Sequence, residues 1–264
     1  MSSATAPSRP VVLVTGAARR LGRAIALELG AHGFDVAVHW RGSLADAEAT
    51  VADLQAGGAA AAPFRADLSV ETECEELVPQ VAAHFGRLDA IVNNAAIFEY
   101  DDVAGFGHAA MERHWRANTA PAILLARALH QRLQACGDGA ARGCVVNLID
   151  QKLWNSNPDY FSYSLSKAAL QTATVMLAQA LAPRLRVCGV APGVTLASGP
   201  MDQAAFDAAH RLTPLQQSST PGDIARAVRF LIESPAITGT TLLVDGGQHL
   251  HAQPRDVLFL APKA

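Results

Sequence analysis

The sequence predicts a single-domain α/β protein with a doubly wound parallel sheet of about seven strands flanked by helices. Short apolar runs alternate with longer alanine- and leucine-rich stretches of helical period, which is the pattern of β-α-β units. The chain has 264 residues, half of them hydrophobic, and no linker rich in Pro, Ser or Gly divides it. We therefore expect one domain with one sizeable core.

The predicted strands follow one another along the whole chain. They cover residues 11–15, 35–40, 61–66, 89–94, 143–149, 186–191 and 241–245. Helices are predicted over residues 24–31, directly after the first strand, and over the stretch FSYSLSKAALQTATVMLAQALA. Two stretches, residues 98–108 and 191–200, show no regular pattern. Both follow strands, where α/β sheets place their ligand-binding loops.

The composition argues against several classes of protein. Lys and Arg number 21 against 24 Asp and Glu, so no excess of positive charge favours nucleic acid or an anionic membrane surface. The polar first ten residues and the short run VVLV predict neither a signal peptide nor a membrane span. Four cysteines without a C-x-x-C pair indicate reduced thiols, and no metal-ligand spacing occurs. We expect a cytoplasmic protein without a metal.

The segment TGAARRLG, residues 15–22, follows the first strand and opens a helix. Unpaired backbone N–H groups and the positive end of a helix dipole bind a pyrophosphate, and glycine lets the backbone come close to it. The segment predicts a dinucleotide site that includes Gly16, Arg20, Leu21 and Gly22. The alternative is an ordinary strand-to-helix turn that happens to contain glycine.

The end of the second strand indicates which dinucleotide is bound. The segment HWRGS, residues 39–43, lacks the acidic residue that accepts from a ribose 2'-hydroxyl in NAD sites. Arg41 and Ser43 offer a guanidinium and a hydroxyl to a 2'-phosphate, which a carboxylate would repel. We expect NADPH, with His39 also in the cofactor site. Alternatively, Arg41 is only a solvated loop charge.

Tyr163 and Lys167 lie four residues apart on a predicted helix and so share a face. A tyrosine with a pKa of about 10 donates protons poorly at neutral pH, whereas a nearby ammonium favours the phenolate and lowers the pKa. Tyr163 is therefore a candidate general acid. Such pairs are also common on helix surfaces, and the position after the fifth strand favours the catalytic interpretation.

Together these motifs resemble the short-chain dehydrogenase/reductase family. The resemblance rests on TGAARRLG, Asp67-Leu68 after the third strand, residues 93–96 (NNAA) after the fourth, Tyr163-x-x-x-Lys167 and Pro192-Gly193. It implies a Rossmann-type NADP-binding reductase domain over residues 11–250, between a disordered segment, 1–10, and a tail, 251–264. A homotetramer is also implied. The apolar tail stretch VLFLA either packs on a neighbouring subunit or closes over the site.

The resemblance also implies roles for single residues. Tyr163 donates the proton, Lys167 tunes it and holds the nicotinamide ribose, and Asn118 completes a proton relay. Tyr163 is also expected to contact the cofactor. Further cofactor contacts are expected at the adenine, the ribose and the nicotinamide, from Asp67, Leu68, Asn94, Ala95, Pro192, Gly193, Val194 and Thr195.

The sequence departs from the family pattern 13 residues before the tyrosine, where Asp150 replaces the usual serine. A serine donates a hydrogen bond to a substrate carbonyl, but an ionised aspartate only accepts and raises the pKa of the tyrosine. A carboxyl group can instead pass a proton through Tyr163 or a water to a ring nitrogen, which fits reduction of a C=N bond. Asp150 is thus a catalytic candidate.

Aspartate in the serine position is one of several features that resemble the pteridine reductases of this family. The others are Arg20 in place of a glycine, Phe98 at the position of an aromatic that stacks on the pterin, and the segment HWRGS. The ending DGGQHL resembles that of the bacterial dihydromonapterin reductases of the same branch. They imply NADPH-dependent reduction of a dihydropterin, with Arg20, Phe98, Asp150 and Tyr163 contacting the substrate.

Other interpretations remain for these residues and for the function. Phe98 can cap the core, Arg20 can be a surface charge at a helix start, and Asp150 can form a turn. The alternative functions are a carbonyl reductase acting on a ketone, aldehyde or oxoacyl thioester, and a protein that binds NADPH without turnover.

Overall fold

The computed structural model describes residues 9–136, 141–197 and 201–260. Seven parallel strands form a single sheet in the order β3-β2-β1-β4-β5-β6-β7. Their bounds are β1 Val11–Val14, β2 Asp35–Trp40, β3 Ala61–Arg65, β4 Ala90–Asn93, β5 Gly143–Leu148, β6 Leu185–Pro192 and β7 Thr241–Val244. The predicted fold class is confirmed, and each predicted strand agrees with the observed one to within one residue at either end.

Helices connect the strands and cover the sheet on both sides. They are α1 Arg20–Ala31, α2 Leu44–Ala56, α3 Glu71–Phe85, α4 His108–His114, α5 Ala120–Ala135, α6 Phe161–Ala180, α7 Gln203–Arg211, α8 Pro221–Glu233 and α9 Val257–Leu260. A π-helical turn, Trp115–Thr119, joins α4 to α5, and 3-10 turns occupy Gln151–Leu153 and Gln248–Leu250. Helix α1 begins at residue 20, four residues before the predicted start, because the glycine-containing turn leads straight into it.

Two hydrophobic clusters pack on opposite faces of the sheet. Val12 and Val14 of β1 belong to the cluster beneath α1, α2 and α8, while Val11 and Leu13 face the cluster beneath α3 and α5. Strands that are buried on both faces have apolar residues at nearly every position. Their positions can therefore be predicted from the sequence. The doubly covered sheet leaves its carboxyl edge as the place for a binding site.

The two ends of the described chain contact the domain. Arg9 donates hydrogen bonds from its guanidinium to the carbonyl oxygens of Gly30 and Gly58. The rest of the predicted disordered segment, residues 1–8, lies outside the described residues. In the tail, α9 is a single helical turn in which Val257 is buried; residues 261–264 lie outside the described residues.

Candidate active site

A cleft of about 440 Å³ runs along the carboxyl ends of β1 to β4. Its walls are the turn between β1 and α1, residues 39–43 after β2, residues 66–69 after β3 and residues 94–97 after β4. A second, smaller cavity of about 120 Å³ lies near the end of β5. The two lie where an open parallel sheet places its ligands.

The turn at the start of the cleft depends on two glycines. Gly16 has φ of +64°, in the left-handed region, and a Cβ on Gly22 would lie 2.2 Å from the carbonyl oxygen of Gly16. The close packing of Gly22 on Gly16 leaves a backbone cradle at the N-terminus of α1, which suits a pyrophosphate. The residues present therefore fit a dinucleotide.

Arg20 also occupies the left-handed region, with φ of +53°, where the family resemblance places a glycine. A side chain held there is strained by about 1 kcal/mol or more. Its guanidinium donates to the carbonyl oxygen of Ala197, in the loop after β6, at 2.8 Å. Arg20 thus connects the turn after β1 with the loop after β6, which lines the smaller cavity.

His39, predicted to bind cofactor, is buried beneath the turn. Its Nδ1 accepts from the Gly16 N–H at 2.9 Å, so the ring proton resides on Nε2, which lies 3.0 Å from the carbonyl oxygen of Ala66. Burial lowers the pKa of His39 to about 4, which keeps the ring neutral in this tautomer. Both nitrogens are engaged, so His39 holds the Gly16 turn in place.

The predicted 2'-phosphate residues line the cleft beside that turn. Arg41 is exposed, and Ser43 caps α2 by accepting from the Asp46 N–H. Arg19, which the motif analysis did not assign to the site, is a second exposed arginine on the same wall. It lies directly beside Arg20 in the glycine-containing turn, and this position in the sequence could have assigned it to the site.

We expect the Arg41→Ala variant to raise the KM for NADPH about 10- to 100-fold and to change the KM for NADH little. A charge-assisted hydrogen bond to the phosphate contributes about 1.5–3 kcal/mol, and only NADPH carries that phosphate. Steady-state kinetics with both nucleotides measures the difference. Arg65→Ala, which removes an exposed arginine outside the cleft, is the matched control. Equal losses with NADPH and NADH would contradict the assignment.

Side chains at the ends of β3 and β4 complete this part of the site. Asp67 accepts from the N–H and the hydroxyl of Ser69, and these bonds hold its pKa below the usual range. The Asn94 amide donates to the carbonyl oxygen of Thr15, and its backbone N–H donates to the Thr15 hydroxyl. Leu68 and Ala95 lie on the same cleft wall. Asn94 therefore fastens β4 to the turn after β1.

The catalytic candidates meet where β5 ends against α6. The Tyr163 hydroxyl donates to Oδ2 of Asp150 at 2.8 Å. The Lys167 ammonium lies one helical turn on, donates to the carbonyl oxygen of Leu148 at 2.6 Å and is 5.7 Å from the centre of the Tyr163 ring. The structure thus brings Asp150, Tyr163 and Lys167 together as one group.

The electrostatics of this group differ from the sequence-based expectation for Tyr163. Burial and the neighbouring Asp150 raise the pKa of Tyr163 well above its usual value, and the Lys167 ammonium does not reverse this. Burial lowers the pKa of Lys167 to about 8, and burial raises the pKa of Asp150. The prediction that Lys167 brings the tyrosine towards neutral pH is therefore wrong in this structure. Asp150 raises the pKa of Tyr163, as the sequence predicted.

Asn118 lies in the π-helical turn before α5, and its side chain is fully engaged. Its Oδ1 accepts from the Ile97 N–H at 2.8 Å, and its amide donates to the Ile97 carbonyl and to the Ser166 hydroxyl. Through these bonds Asn118 fixes the backbone that leads into Phe98. The relay role implied by the family resemblance stays a prediction.

Phe98 stands at the mouth of the site and does not cap the core, since 42% of it is exposed. One face stacks on Tyr160 with ring centres 4.0 Å apart, and the ring meets Tyr163 edge-on at 4.7 Å. Tyr160, with φ of +55°, directly precedes α6 and was not predicted as a site residue. The stack positions a flat aromatic surface beside the Tyr163 ring.

The loop after β6 forms the opposite end of the site. Gly193 packs so closely that a Cβ there would lie 2.7 Å from the Ser218 hydroxyl. Thr195 bonds to the Gly193 carbonyl and to Ser219, and the Val194 N–H donates to the side chain of Gln248. Gln248 belongs to the ending DGGQHL and is another site residue that motif analysis missed. Residues 198–200 of the predicted irregular stretch lie outside the described residues.

The smaller cavity is bounded by residues from distant parts of the chain. Phe98, Asp150 and Tyr160 line it together with Gln151, Lys152 and three residues of the tail, namely Asp256, Val257 and Leu258. Gln151 and Lys152 directly follow Asp150, but nothing in the local sequence indicated that the tail would meet them. The tail prediction left open whether it packs on a neighbour or closes over the site; here it lines the cavity.

Two features are absent from residues 9–136, 141–197 and 201–260. No group of three or more His, Cys, Asp or Glu side chains there is arranged to hold a metal ion. No helix there is long and apolar enough to cross a membrane.

Comparison with known proteins assigns the family. A family model described as enoyl-(acyl carrier protein) reductase matches residues 16–249. The chain belongs to the short-chain dehydrogenase/reductase family. It is therefore an oxidoreductase of that family, whose members use NAD(P)H, and the predicted nicotinamide cofactor agrees with this.

Relatives of different activity lie at similar distances within the short-chain dehydrogenase/reductase family. Pteridine reductase 1 of Leishmania tarentolae is 34% identical over 93% of this chain and 98% of its own. A 3-oxoacyl-(acyl-carrier-protein) reductase of Staphylococcus epidermidis is 31% identical over 90% of this chain and 98% of its own. The solved structure of FolM alternative dihydrofolate reductase 1 from Brucella canis, complexed with NADP, is 39% identical, with a TM-score of 0.85 over 92% of this chain and 96% of that one.

Proposed function

We propose that this protein is an NADPH-dependent dihydropterin reductase that forms a tetrahydropterin. The observation that carries the proposal is the contact between the hydroxyl of the buried Tyr163 and the carboxyl group of the partly buried Asp150. NADPH, when bound, supplies the hydride. The protein supplies the proton, the ring platform and the orientation of the substrate.

In this proposal the proton that reaches the ring nitrogen is replaced on Tyr163 by a proton from Asp150. Burial raises the pKa of Asp150. The carboxyl group therefore stays protonated to a higher pH than that of a free aspartate. The protonated carboxyl can donate to the Tyr163 oxygen as the tyrosine gives its own proton to a ring nitrogen. The phenolate, which burial and Asp150 disfavour, then never has to accumulate. This arrangement suits a C=N bond, because an unprotonated C=N bond accepts hydride poorly and its nitrogen needs the proton before or together with hydride transfer.

The remaining contacts suit a flat, polar substrate. The exposed face of the Phe98 and Tyr160 stack offers an aromatic platform next to Tyr163. We expect the Arg20 guanidinium, which donates to the carbonyl oxygen of Ala197, to contact both a cofactor phosphate and a polar ring edge. The pteridine reductase and the FolM relatives support the same substrate class.

NADPH oxidation by the purified protein tests the proposal. The substrates are 7,8-dihydromonapterin, 7,8-dihydrobiopterin and a panel of small ketones and aldehydes. We expect turnover that is confined to the dihydropterins and is reduced at least 100-fold by Asp150→Ser, since a serine cannot store the proton. Unchanged dihydropterin turnover in Asp150→Ser would refute the role of Asp150.

A second candidate is reduction of a carbonyl group, including that of a 3-oxoacyl thioester. The Staphylococcus epidermidis relative favours this candidate. Here Asp150 would have to replace a hydroxyl donor, and the Tyr163 hydroxyl would have to leave its carboxylate partner to reach the substrate oxygen. Turnover confined to carbonyl compounds in the same assay would select this function.

We further propose that the protein is a cytoplasmic homotetramer. Helix α6 carries Leu165, Val175 and Met176 exposed on its surface, and exposed apolar side chains on one helix mark a surface for association. The described cysteines are all free thiols, as a reducing compartment requires. Sedimentation at micromolar concentration is expected to give a tetramer, and Met176→Lys is expected to weaken it. A monomeric wild type would refute the assembly.

A further inference from the structure

The smaller cavity adjoins Asp150 and is bounded on one side by the carboxy-terminal segment, which we define as residues 255–260. Lys152 and Asp256 both line it, and the Lys152 ammonium lies 3.0 Å from the Asp256 carboxylate. Lys152 is 4% exposed. An ion pair withdrawn from water costs desolvation energy that its own attraction repays only in part. Of the three protons on the ammonium, one is donated to Asp256 within the described residues. The pair therefore has hydrogen-bonding capacity left for a ligand.

Gln151 adds a second polar feature to the same cavity. Its side-chain oxygen is buried and accepts no hydrogen bond from the described residues. Buried polar atoms in folded proteins are nearly always paired, so an unpaired one on a cavity wall indicates a partner that the protein itself does not supply. The wall thus offers an amide, an ammonium and a carboxylate to a small polar ligand.

The carboxy-terminal segment is fastened firmly enough to act as a wall. Asp159, which is 2% exposed, accepts from the Arg255 guanidinium at 2.7–3.0 Å and from the Asp256 N–H at 2.7 Å. Burial opposes the charge of Asp159, but these hydrogen bonds outweigh it and hold its pKa below the usual value. Phe259 packs edge-on against Tyr100. Substrate that enters the cavity therefore meets a fixed boundary.

The chemistry of the proposed reaction indicates which part of the substrate enters. In a 7,8-dihydropterin the carbon of the reducible C=N bond carries the side chain. If the nitrogen of that bond receives its proton at Asp150 and Tyr163, the side chain begins one bond away, next to Gln151 and Lys152. This step rests on the proposed function.

We propose that this cavity binds the substrate side chain, and that Gln151, Lys152 and Asp256 select a short hydroxylated chain. Hydroxyl groups can donate to the amide and carboxylate oxygens and accept from the ammonium. The volume of about 120 Å³ is smaller than the 150 Å³ in which a protein cavity holds one benzene molecule. The larger aminobenzoyl-glutamate of dihydrofolate does not fit inside this volume, and the carboxy-terminal segment bounds the cavity on the side where it would extend.

Three substrates that share the reacting ring test this proposal. They are 7,8-dihydromonapterin with three hydroxyls, 6-methyl-7,8-dihydropterin with none, and 7,8-dihydrofolate. We expect Lys152→Met to raise the KM for dihydromonapterin about 10- to 100-fold and the KM for the 6-methyl compound far less, at most about threefold. A merely structural role of Lys152 would move both KM values alike. Arg116→Met, which removes an exposed charge paired with Glu112, is the matched control.

The wall itself is tested by Arg255→Gln and by a chain that ends at Pro254. We expect wild type to prefer dihydromonapterin to dihydrofolate at least 100-fold in kcat/KM, and both variants to reduce that preference at least 10-fold. If the shortened chain does not fold, Arg255→Gln still decides. Unchanged preferences in Arg255→Gln, or efficient wild-type turnover of dihydrofolate, would overturn the inference while leaving the proposed function intact. Wild type that reduces none of the three pterins would refute the proposed function and the inference with it.

Discussion

A Tyr163→Phe variant is expected to reduce dihydropterins about 100- to 10,000-fold more slowly than wild type, with unchanged affinity for NADPH. The change removes one oxygen, the atom that bonds to Asp150, and keeps the ring that contacts Phe98. General acid catalysis by a positioned side chain contributes a factor of this size. Because the change leaves every residue that lines the large cleft in place, the loss should appear in kcat. Steady-state kinetics and a fluorescence titration with NADPH measure the two quantities.

The matched control for this prediction is Tyr100→Phe. It removes the same hydroxyl from an exposed tyrosine whose hydrogen bond to Asp159 is long at 3.5 Å. We expect a rate within about threefold of wild type. A Tyr163→Phe enzyme that retained its kcat would show that the proton reaches the substrate from Asp150 or water directly, and the route through Tyr163 would then be abandoned.

The positions of the strands and of the main site residues were predictable from the sequence. Parallel strands that are covered on both faces need apolar side chains at every position, so the strands stand out from the polar turns around them. Gly16 and Gly22 were recognisable because the cradle that they form excludes a Cβ. Asp150, Tyr163 and Lys167 were recognisable from spacing, and the structure does place them in one group.

The charge states of the site residues, and the contacts made by the carboxy-terminal segment, were not predictable from motifs and spacing. The sequence pairs Tyr163 with a cation, but the pKa depends on how deeply the phenol is buried and on which neighbour its hydroxyl bonds to. Lys152 and Asp256 lie 104 residues apart, and their contact follows from where the tail ends on the domain. Such contacts carry no local pattern. The His39 tautomer likewise depends on its position beneath the turn.

An Asp150→Asn variant is expected to lose about 100-fold or more in kcat and to lose the pH dependence that Asp150 confers. In wild type, burial raises the pKa of Asp150, so the carboxyl group carries its proton up to a higher pH than a free aspartate does. As the acid, it works while protonated, so kcat falls as the pH rises through that raised pKa. An amide keeps the shape but has no proton to give. The kcat of the variant, measured from about pH 5 to 9, should be low and flat across this limb.

The stability of the same variant gives an independent reading of the raised pKa. Between the pKa of a free aspartate, 3.8, and the raised value, the folded state binds the proton more tightly than the unfolded state. The free energy of unfolding of wild type therefore decreases as the pH rises through this window, and above it the cost of the buried charge is fully present. The amide of the Asp150→Asn variant lacks that cost, so the Tm of the variant relative to wild type should increase from about pH 4 to pH 8. A relative Tm that decreased over this range would mean that Asp150 is stabilised as a carboxylate, and it would then serve as a proton acceptor rather than a donor.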